Sequence, residues 1–344
     1  MIKEIGSEFW NVPSIEKENT VFPKKTQWFL SGRSALQAIV KELTKQGKKT
    51  VAMPSWCCYS MVKPFIDAGM VVQFYPVYVK QGHLVKDIDY NSDILFLIDF
   101  FGYTDEAPDV RAYNGMVIRD VTHSIFSKSY NDADYYFGSL RKWCGFWTGG
   151  FAWAKDNQQF EVVDRDDKGY ILLRKKAMEL KDFYINRLPD KNGNLINDKG
   201  YLSVYEDAEE ILEDIGIAAA SERDIKYAKK LDVGFMKTQR RKNAKVLMQT
   251  FADQLIFPTL YEKDCPLFVP ILVPKGKRNE LRRYLIQRDI YCPVHWPVSR
   301  YHNLQKGPVT ELYENELSLV CDQRYTEQDI FRMVEAIHKF WKEN

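Results

Sequence analysis

The chain has 344 residues, of which 45% are hydrophobic, 14% aromatic and 28% charged. This composition is typical of a globular protein with a large core and excludes a disordered or fibrous chain. Lys and Arg number 49 against 47 Asp and Glu, and the resulting net charge of +2 gives no overall field that would attract nucleic acid or an anionic membrane.

The first half of the chain alternates helical patterns with short apolar runs. Apolar residues recur at helical spacing over Leu36–Leu43, and Gly47 follows where a helix would end, while a second helix is predicted over Ser60–Ala68. Five apolar runs predict buried strands, at Thr50–Pro54, Met70–Tyr75, Ile94–Phe100, Met116–Ile118 and Phe151–Ala154. Strands buried on both faces and separated by helices predict an α/β fold with a mostly parallel central sheet.

The second half becomes charged and helical from about residue 164. Helices are predicted over Leu172–Phe183, Tyr205–Leu212 and Lys237–Phe251, and a strand, a helix and a strand follow at Phe268–Val273, Arg278–Arg288 and Ile290–His295. A last helix begins after Thr326, a typical N-cap residue with Asp329 three positions later. We therefore expect two domains, a large α/β domain over residues 1–250 and a small α+β domain over residues 251–344.

The cysteines and the amino-terminal segment indicate the cellular compartment of the protein and whether it holds a structural metal. No two of the six cysteines form a C-x-x-C pair and the five histidines show no metal-ligand spacing, which favours buried free thiols over a structural zinc site. The first residues lack the apolar core of a secretion signal, and the longest apolar runs are far shorter than the roughly 20 residues that span a membrane. We expect a soluble, cytoplasmic protein without a metal.

Three segments of the sheet region carry residues suited to chemistry. The turn Ser31–Leu36 places a glycine and hydroxyl groups at the start of the first helix, where unpaired backbone N–H groups bind phosphate, although an ordinary serine N-cap has the same pattern. Asp120 ends an apolar run and so faces the edge of the sheet where ligands bind, unless it only caps the next turn. Lys142 lies between Phe137 and Trp143, and we expect these aromatic neighbours to desolvate its amine and make it a better nucleophile.

Together these residues predict one cofactor, pyridoxal phosphate. Its phosphate needs an anion site, its pyridine nitrogen needs a carboxylate such as Asp120, and its aldehyde needs a lysine such as Lys142 that carries it as an imine. Ser139, three positions before Lys142, would bind the phosphate nearby. His295 lies in the aromatic, proline-bounded segment Cys292–Pro297 and gains interest only from this context, because a lone histidine in such a segment is more often a core residue.

These segments resemble the DegT/DnrJ/StrS family of aminotransferases, which use pyridoxal phosphate and of which many act on nucleotide-linked keto sugars. Similar to family motifs are, in chain order, Ser31–Leu36 (phosphate turn), Met53–Tyr59 (Pro-Ser-aromatic segment), Asp120–His123 (Asp-x-x-Gln/His element), Phe137–Lys142 with Gly149–Phe151 (imine lysine segment), and Ile290–Pro297 and Leu317–Tyr325 (carboxy-terminal pattern). The resemblance implies a fold-type-I transferase fold, with a mostly parallel sheet and a small carboxy-terminal domain.

The resemblance also implies an activity and a set of site residues. An amino group would pass from an amino acid, expected to be glutamate, to a keto acceptor in a homodimer, with Lys142 as the catalytic residue that moves the proton. The implied cofactor contacts are Arg33, Ser34, Tyr59, Asp120, His123, Ser139 and Lys142, with Asp120 at the pyridine nitrogen and His123 near the phenolic oxygen. His295, Arg300 and Arg324 are candidate substrate-binding residues.

Two departures from the family pattern keep alternatives open. The position of the aromatic residue that stacks on the cofactor reads Cys58, so Tyr59 or Trp56 would take its place. The family's Gly-Tyr-Asn-x-Arg segment, which serves the partner subunit's phosphate, is not recognisable. A second hypothesis is therefore a protein that binds the cofactor without transferring amino groups, such as a regulator or scaffold. A third is a nucleotide-binding α/β protein, although no glycine-rich nucleotide motif accompanies Gly32–Ala35.

Overall fold

The computed structural model describes residues 4–80, 82–88, 91–104, 110, 113–127, 130–163, 167, 169–188, 198–302 and 307–343. Its strands are β1 (Ile5–Gly6), β2 (Gln27–Phe29), β3 (Thr50–Pro54), β4 (Val71–Tyr75), β5 (Val77–Lys80), β6 (His83–Lys86), β7 (Ile94–Ile98), β8 (Met116–Asp120), β9 (Tyr135–Ser139), β10 (Gly150–Ala154), β11 (Val269–Leu272), β12 (Ile290–Tyr291) and β13 (Glu316–Leu319). Its α-helices are α1 (Gly32–Lys45), α2 (Tyr59–Asp67), α3 (Tyr170–Asn186), α4 (Tyr201–Glu213), α5 (Glu222–Lys229), α6 (Val233–Thr250), α7 (Arg278–Ile286), α8 (Pro308–Asn315) and α9 (Glu327–Glu343).

Seven strands form the central sheet, in the order β2-β10-β9-β8-β7-β3-β4. Strand β3 runs parallel to β4 and β7, β7 runs parallel to β8, and β8 runs parallel to β9. Strand β10 is antiparallel to both of its neighbours, β9 and β2, so it alone opposes the common direction. Every residue of β7 and β10 is buried, as expected for strands covered on both faces. The predicted mostly parallel sheet is confirmed.

The strand directions collect several chain segments at one edge of this sheet. Strands β8 and β9 end there with Asp120 and Ser139. Helix α1 begins at Gly32, just after β2, and helix α2 begins at Tyr59, just after β3. Because parallel strands present their carboxyl ends at the same edge, the residues that the sequence singled out lie on neighbouring strands and helix starts.

Most predicted elements are present, with shifted ends. The last helix begins where predicted, since the Asp329 carboxylate accepts hydrogen bonds from the backbone N–H and the hydroxyl of Thr326, at 2.9 and 2.8 Å. Strand β12 is shorter than predicted and ends at Tyr291, because Pro293 follows closely and offers no N–H to a ladder. Between β4 and β10 the described residues contain no α-helix, so helices separate the strands only in the first part of the sheet.

Smaller pairings complete the fold. Strand β11 pairs antiparallel with β13, and β1 near the amino terminus pairs in parallel with β12. The division into domains at residue 250 stays a prediction. Five of the six cysteines are buried free thiols, and Cys58 is partly buried. None of the described helices combines the length and the apolar character that crossing a lipid bilayer requires.

Candidate active site

A cavity of about 560 Å³ opens at the edge of the sheet where β8 and β9 end. It is lined by the predicted cofactor ligands Arg33, Tyr59, Asp120, His123, Ser139 and Lys142. The remaining predicted ligand, Ser34, does not line it. The side chain of Ser34 is buried and donates a hydrogen bond of 2.8 Å to the carbonyl of Gly216. Predicted ligands from four separate segments of the chain therefore meet here, without Ser34.

The amino terminus of α1 is held against the ends of β9 and β10. A Cβ atom on Gly150 would lie 2.1 Å from the Ser31 carbonyl oxygen, so only glycine permits this approach. Ser31 caps the helix through its hydroxyl, which accepts the Ser34 N–H at 3.1 Å. On Gly32 a Cβ atom would lie 3.3 Å from the Cβ of Ser139. The free N–H groups and partial positive charge of the helix start therefore face the cavity beside a serine hydroxyl, which suits an anion.

Asp120 is a buried carboxylate at the end of β8. Only 2% of the residue is exposed, and its Oδ1 atom accepts the backbone N–H of Thr122 at 2.8 Å. Burial raises the pKa of Asp120 to about 6, although the hydrogen bonds from Thr122 oppose the shift. A cationic N–H group placed beside this carboxylate in the cavity would stabilise its charge.

His123 is buried beside Asp120 and is packed by an aromatic ring that the sequence did not single out as a site residue. Burial, together with the positive charge of Lys142, lowers the pKa of His123 to about 3, so its imidazole is neutral. The ring stacks on Trp296, with centroids 5.7 Å apart and planes at 15°. Trp296 also lines the cavity. In the sequence, the only indication that Trp296 belongs to the site is its position next to His295.

Lys142 projects into the cavity from a single 3-10 turn, Leu140–Lys142, that follows β9. Leu140 and Trp143 point into the core, and the indole N–H of Trp143 donates to the Thr122 carbonyl at 2.6 Å. This turn leaves Lys142 exposed. The expected desolvation of its amine by aromatic neighbours is therefore wrong for the isolated chain, because those neighbours face inward.

Two of the lining residues, Arg33 and Tyr59, contact each other and Glu213. The Arg33 guanidinium lies 2.9 Å from the Glu213 carboxylate and 3.2 Å from the Tyr59 hydroxyl, which itself donates to Glu213. Trp56, the other candidate for stacking on the cofactor, is fully buried, and its indole N–H donates to the His295 carbonyl at 2.7 Å. Of the two aromatic candidates, only Tyr59 lines the cavity.

A cluster of partly buried charges lies next to Lys142, in which the arginine side chains are 14% and 2% exposed and the glutamate side chains 42% and 43% exposed. Arg141 donates to Glu209, and Arg174 lies 3.4 Å from Glu8. Burial opposes ionisation of Glu209, but Arg141 and Arg174 outweigh it and lower its pKa to about 2. Burial likewise opposes ionisation of Glu8, and the same two guanidiniums lower its pKa. Sequence reasoning missed this cluster because its members are far apart in the chain and follow no local pattern.

A second cavity, of about 450 Å³, adjoins the first. Both cavities are lined by Glu8, Arg141, Lys142 and Glu209, so Lys142 stands where they meet. Among the residues that line only the second are Arg282, His295 and Arg324. Its walls are otherwise mainly apolar, with Phe9, Leu267, Phe268 and Ile286 among them. This arrangement offers room for a second molecule next to the Lys142 amine.

The two arginines predicted to bind substrate occupy different environments. Arg324 is buried and bound on both sides, to the Asp322 carboxylate at 2.8 Å and to the Glu8 carbonyl at 3.0 Å. Its guanidinium therefore holds the amino-terminal segment, and few of its N–H groups remain available to bind a ligand. Arg300 lies on the surface, where it donates to the hydroxyl of Tyr301, and it lines neither cavity.

Comparison with solved structures places this fold among aminotransferases. The chain superposes on Helicobacter pylori PseC, an aminotransferase involved in the biosynthesis of pseudoaminic acid, with a TM-score of 0.62 and 14% identity over 98% of this chain and 100% of that chain. A DegT DnrJ EryC1 StrS aminotransferase from Brucella abortus gives a TM-score of 0.60 and 15% identity, covering 92% and 85% of the two chains. NtdA from Bacillus subtilis with bound cofactor PMP gives 0.58 and 16%, covering 91% and 72%.

Comparison of the sequence alone gives a different result from comparison of the structures. It matches no protein-family model and no curated protein. The likeness to the solved structures covers 91–98% of this chain. The chain therefore has the α/β fold of these aminotransferases, which is that of the fold-type-I transferases.

Proposed function

We propose that this chain is a pyridoxal-phosphate-dependent aminotransferase, which moves an amino group from an amino acid to a keto acceptor. One observation supports this most. A single cavity is lined by the buried carboxylate of Asp120, by Lys142 and by the amino terminus of α1. These are the groups that a phosphate-bearing pyridine aldehyde requires, and solved proteins of the same fold are aminotransferases.

The residues present fit this cofactor at each of its polar ends. Its phosphate would lie at the start of α1 beside Ser139, where the absence of a side chain on Gly32 leaves room. Its ring nitrogen would be held by Asp120, its phenolic oxygen would lie near His123, and its aldehyde would be held covalently by Lys142. When bound, the cofactor supplies an aldehyde that links to amines and a ring that accepts electrons.

Different residues of the chain would stabilise charge on the cofactor and transfer protons. Asp120 would keep a proton on the ring nitrogen, and the positive charge there would offset the cost of burying the carboxylate. Lys142 would move a proton with its Nζ atom as general base and then as general acid. Its exposed position between the two cavities gives the amine access to both. The stacked rings of His123 and Trp296 would exclude water from one side.

The second cavity would receive the amino donor and the keto acceptor. Arg282 lines it, and within the described part of the chain no carboxylate pairs with its guanidinium. Arg282 is therefore better placed than Arg300 or Arg324 to pair with the carboxylate of glutamate, the donor that we propose. Keto sugars linked to nucleotides are the proposed acceptors, and a homodimer is the proposed assembly, both on the strength of the sequence resemblance.

Covalent trapping tests the proposal. The purified chain is incubated with pyridoxal phosphate, reduced with borohydride and mapped by mass spectrometry, and we expect the label on Lys142. Glutamate added before the reduction should shift the visible absorbance and abolish trapping. Lys142→Ala should lose both signals, and turnover should fall by at least about 100-fold, the usual contribution of a positioned acid–base group. Lys25→Ala, at an exposed lysine that lines neither cavity, is the matched control.

The outcomes separate the competing hypotheses. Label on Lys142 that never responds to glutamate or any other amino donor would favour the regulator or scaffold that binds the cofactor without transferring amino groups. No covalent label, or a label on a different lysine, would overturn the proposal.

A further inference from the structure

Three buried groups form a line of hydrogen bonds behind the second cavity. The hydroxyl oxygen of Ser318 lies 2.5 Å from the Oε1 atom of Glu316 and 2.8 Å from the Nδ1 atom of His295. The other carboxyl oxygen of Glu316 accepts the backbone N–H of His295 at 2.7 Å. Glu316 and Ser318 are fully buried, and His295 is 7% exposed. The contact thus joins a carboxyl group to an imidazole through one hydroxyl.

The backbone fixes this line. Glu316 and Ser318 are two residues apart on strand β13, so their side chains project from the same face. The backbone N–H of Ser318 donates to the Pro293 carbonyl at 3.0 Å, which holds the segment of His295 next to the strand. Strand β13 is in turn paired with β11 along its length. None of the three groups needs to move to make these contacts.

The free nitrogen of His295 is directed away from the line. Nδ1 is used by Ser318, and Nε2 has no hydrogen-bond partner among the described residues. The imidazole lines the second cavity, between the rings of His123 and Phe268, whose centroids lie 5.7 and 5.1 Å away. Nε2 is therefore the atom through which a molecule in the cavity would meet this chain of groups.

Two arrangements of protons satisfy every group in the line. When Glu316 is ionised, it accepts the Ser318 hydroxyl proton, Ser318 accepts the Nδ1–H of His295, and Nε2 carries a lone pair. When Glu316 is protonated, it donates to Ser318, Ser318 donates to Nδ1, and Nε2 carries the proton. The arrangements differ by one proton, and the imidazole is neutral in both.

We propose that Glu316, Ser318 and His295 form a proton relay between the protein interior and the second cavity. When a proton is taken up, an N–H bond forms at Nε2 and the N–H bond at Nδ1 breaks. The Ser318 hydroxyl gains the Nδ1 proton and gives its own proton to Glu316, so that a new O–H bond forms on Glu316 and its negative charge is neutralised. The reverse sequence returns the proton to the cavity. Glu316 and Ser318 are positioning residues for His295. The relay rests on the proposed function only for the identity of the molecule that exchanges the proton.

The electrostatic surroundings support this proton exchange. Burial raises the pKa of Glu316 to about 8, opposed by its hydrogen bonds from Ser318 and His295 and by Arg278, so it can change charge near neutral pH. Burial, together with His123 and Lys142, lowers the pKa of His295 well below its usual value, so a cationic imidazole is disfavoured. The ionisable groups that face the relay are Arg278 and Cys292 near Glu316, and His123 and Lys142 near His295.

Nuclear magnetic resonance of the histidine ring nitrogens tests the relay without requiring turnover. The full chain, with pyridoxal phosphate added, is labelled with ¹⁵N-histidine, and the signals of its five histidines are followed from pH 6 to pH 10. The spectrum of His295→Gln assigns the relevant signal. We expect the ratio of the two neutral tautomers of His295 to change about tenfold per pH unit near the pKa of Glu316, with Nδ1–H favoured at high pH.

The chain offers a matched internal control. His302 makes the same type of contact, from its Nδ1 atom to the Ser299 hydroxyl at 2.8 Å. Among the described residues, however, no carboxylate is hydrogen-bonded to the Ser299 hydroxyl. We expect no such pH-dependent exchange of tautomers at His302. In Ser318→Ala and in Glu316→Gln the tautomer of His295 should no longer depend on pH.

Each outcome decides the matter. A His295 tautomer that is constant across the pH range in the unaltered chain, or that responds equally in Ser318→Ala, would overturn the relay. If Glu316→Gln does not fold, Ser318→Ala alone carries the comparison, since it removes only one hydroxyl. If the relay behaves as expected while Lys142 fails to trap the cofactor, the proposed function falls and the relay stands.

Discussion

The folded chain buries the Asp120 carboxylate, which disfavours its charged form. The contribution of Asp120 to the free energy of unfolding therefore depends on pH. Its pKa is raised to about 6 by burial, opposed by Thr122, from an ordinary value near 3.8. The folded chain therefore binds this proton more tightly than the unfolded chain does. The cost of ionisation is fully present above pH 6 and is relieved as the pH falls from 6 towards 4.

Replacement of this carboxyl group should reveal that cost. In the cofactor-free chain at pH 8, Asp120→Asn should raise the free energy of unfolding by about 1–3 kcal/mol, given about 1.4 kcal/mol per pKa unit and some loss from an imperfect amide fit. At pH 4 the gain should disappear. Urea unfolding at both pH values measures this. The same variant should lose stabilisation by added pyridoxal phosphate, because the amide cannot hold the ring nitrogen's proton.

Asp93 is a matched control, because its pKa is shifted in the opposite direction to that of Asp120. Its carboxylate accepts the backbone N–H groups of Lys49 and Thr50, and these bonds lower its pKa. Its contribution is present above its unfolded pKa and is lost as the pH falls through the lower, folded value. Asp93→Asn should therefore destabilise the chain at pH 8. Equal effects of the two substitutions would contradict the assigned role of burial at Asp120.

At the level of elements, the start of α1 depends on one glycine in β10. Gly150→Ala would place a Cβ atom 2.1 Å from the Ser31 carbonyl oxygen, so the helix start must move away from β10 and from Ser139. We expect a loss of unfolding free energy of about 1–3 kcal/mol, as for overpacked sites. Cofactor affinity should fall by more than that stability loss alone explains, since the anion site is displaced. Thermal unfolding and cofactor titration measure the two effects.

A second glycine provides the comparison. Gly234 lies in the first turn of α6, and a Cβ atom there would approach nothing closer than the Asp232 carboxylate at 3.7 Å. Gly234→Ala should stabilise the chain by about 0.4–1 kcal/mol, because alanine restricts the unfolded chain more than glycine does. Cofactor affinity should not change. An unaltered affinity in Gly150→Ala would refute the anion site at α1.

The sequence was most informative where periodicity and local chemistry agreed. Strand β3 has the predicted ends, α2 is shifted by one residue towards the amino terminus, and α1 and α9 extend the predicted patterns by a few residues. Strand β9 was not predicted as a strand, because Gly138 interrupts it. In the sheet, Gly138 pairs with Phe151, and a Cβ atom on Gly138 would lie 2.5 Å from that ring. A glycine that weakens a strand by propensity is here required by a cross-strand neighbour, which only the register reveals.

The candidate site was partly predictable for the same reason. Asp120, His123, Ser139 and Lys142 lie within one stretch of chain that ends two neighbouring strands, so their order in the sequence already places them together. The relay partner Glu316 and the wall residue Glu8 come from opposite ends of the chain. Their place depends on tertiary packing, for which the sequence holds no local signal.

At the scale of the whole molecule, residues 4–10 connect the amino-terminal part of the described chain to its carboxy-terminal third. Strand β1 pairs with β12, and the backbone N–H of Gly6 donates to the Tyr325 hydroxyl at 2.8 Å. Arg324 donates to the carbonyl of Glu8, whose side chain lines both cavities. The amino-terminal segment is therefore part of the site's wall, and its attachment should govern the stability of the cavity region.

The attachment includes a buried ion pair between Glu4 and Lys181. The Lys181 amine lies 2.9 Å from Glu4, and the Tyr201 hydroxyl donates to the same carboxylate at 2.9 Å. Both charged side chains are at most 1% exposed. Burial, and next the charge of Arg324, lowers the pKa of Lys181 to about 8, although Glu4 opposes the shift. Removal of the carboxylate would leave the ammonium unpaired in the interior.

We expect Glu4→Gln to lower the free energy of unfolding at pH 7 by about 3–5 kcal/mol, the usual cost of breaking a buried pair. The loss should shrink towards pH 10, because a lysine with a lowered folded pKa sheds its proton in the folded chain as the pH rises, and a neutral amine needs no partner. Urea unfolding at pH 7 and 9.5 measures both. Glu16→Gln, which removes a 99% exposed partner of Lys230, should leave stability unchanged at either pH. A loss in Glu4→Gln that is the same at both pH values would mean that Glu4 does not stabilise the chain by pairing with the charged Lys181 amine.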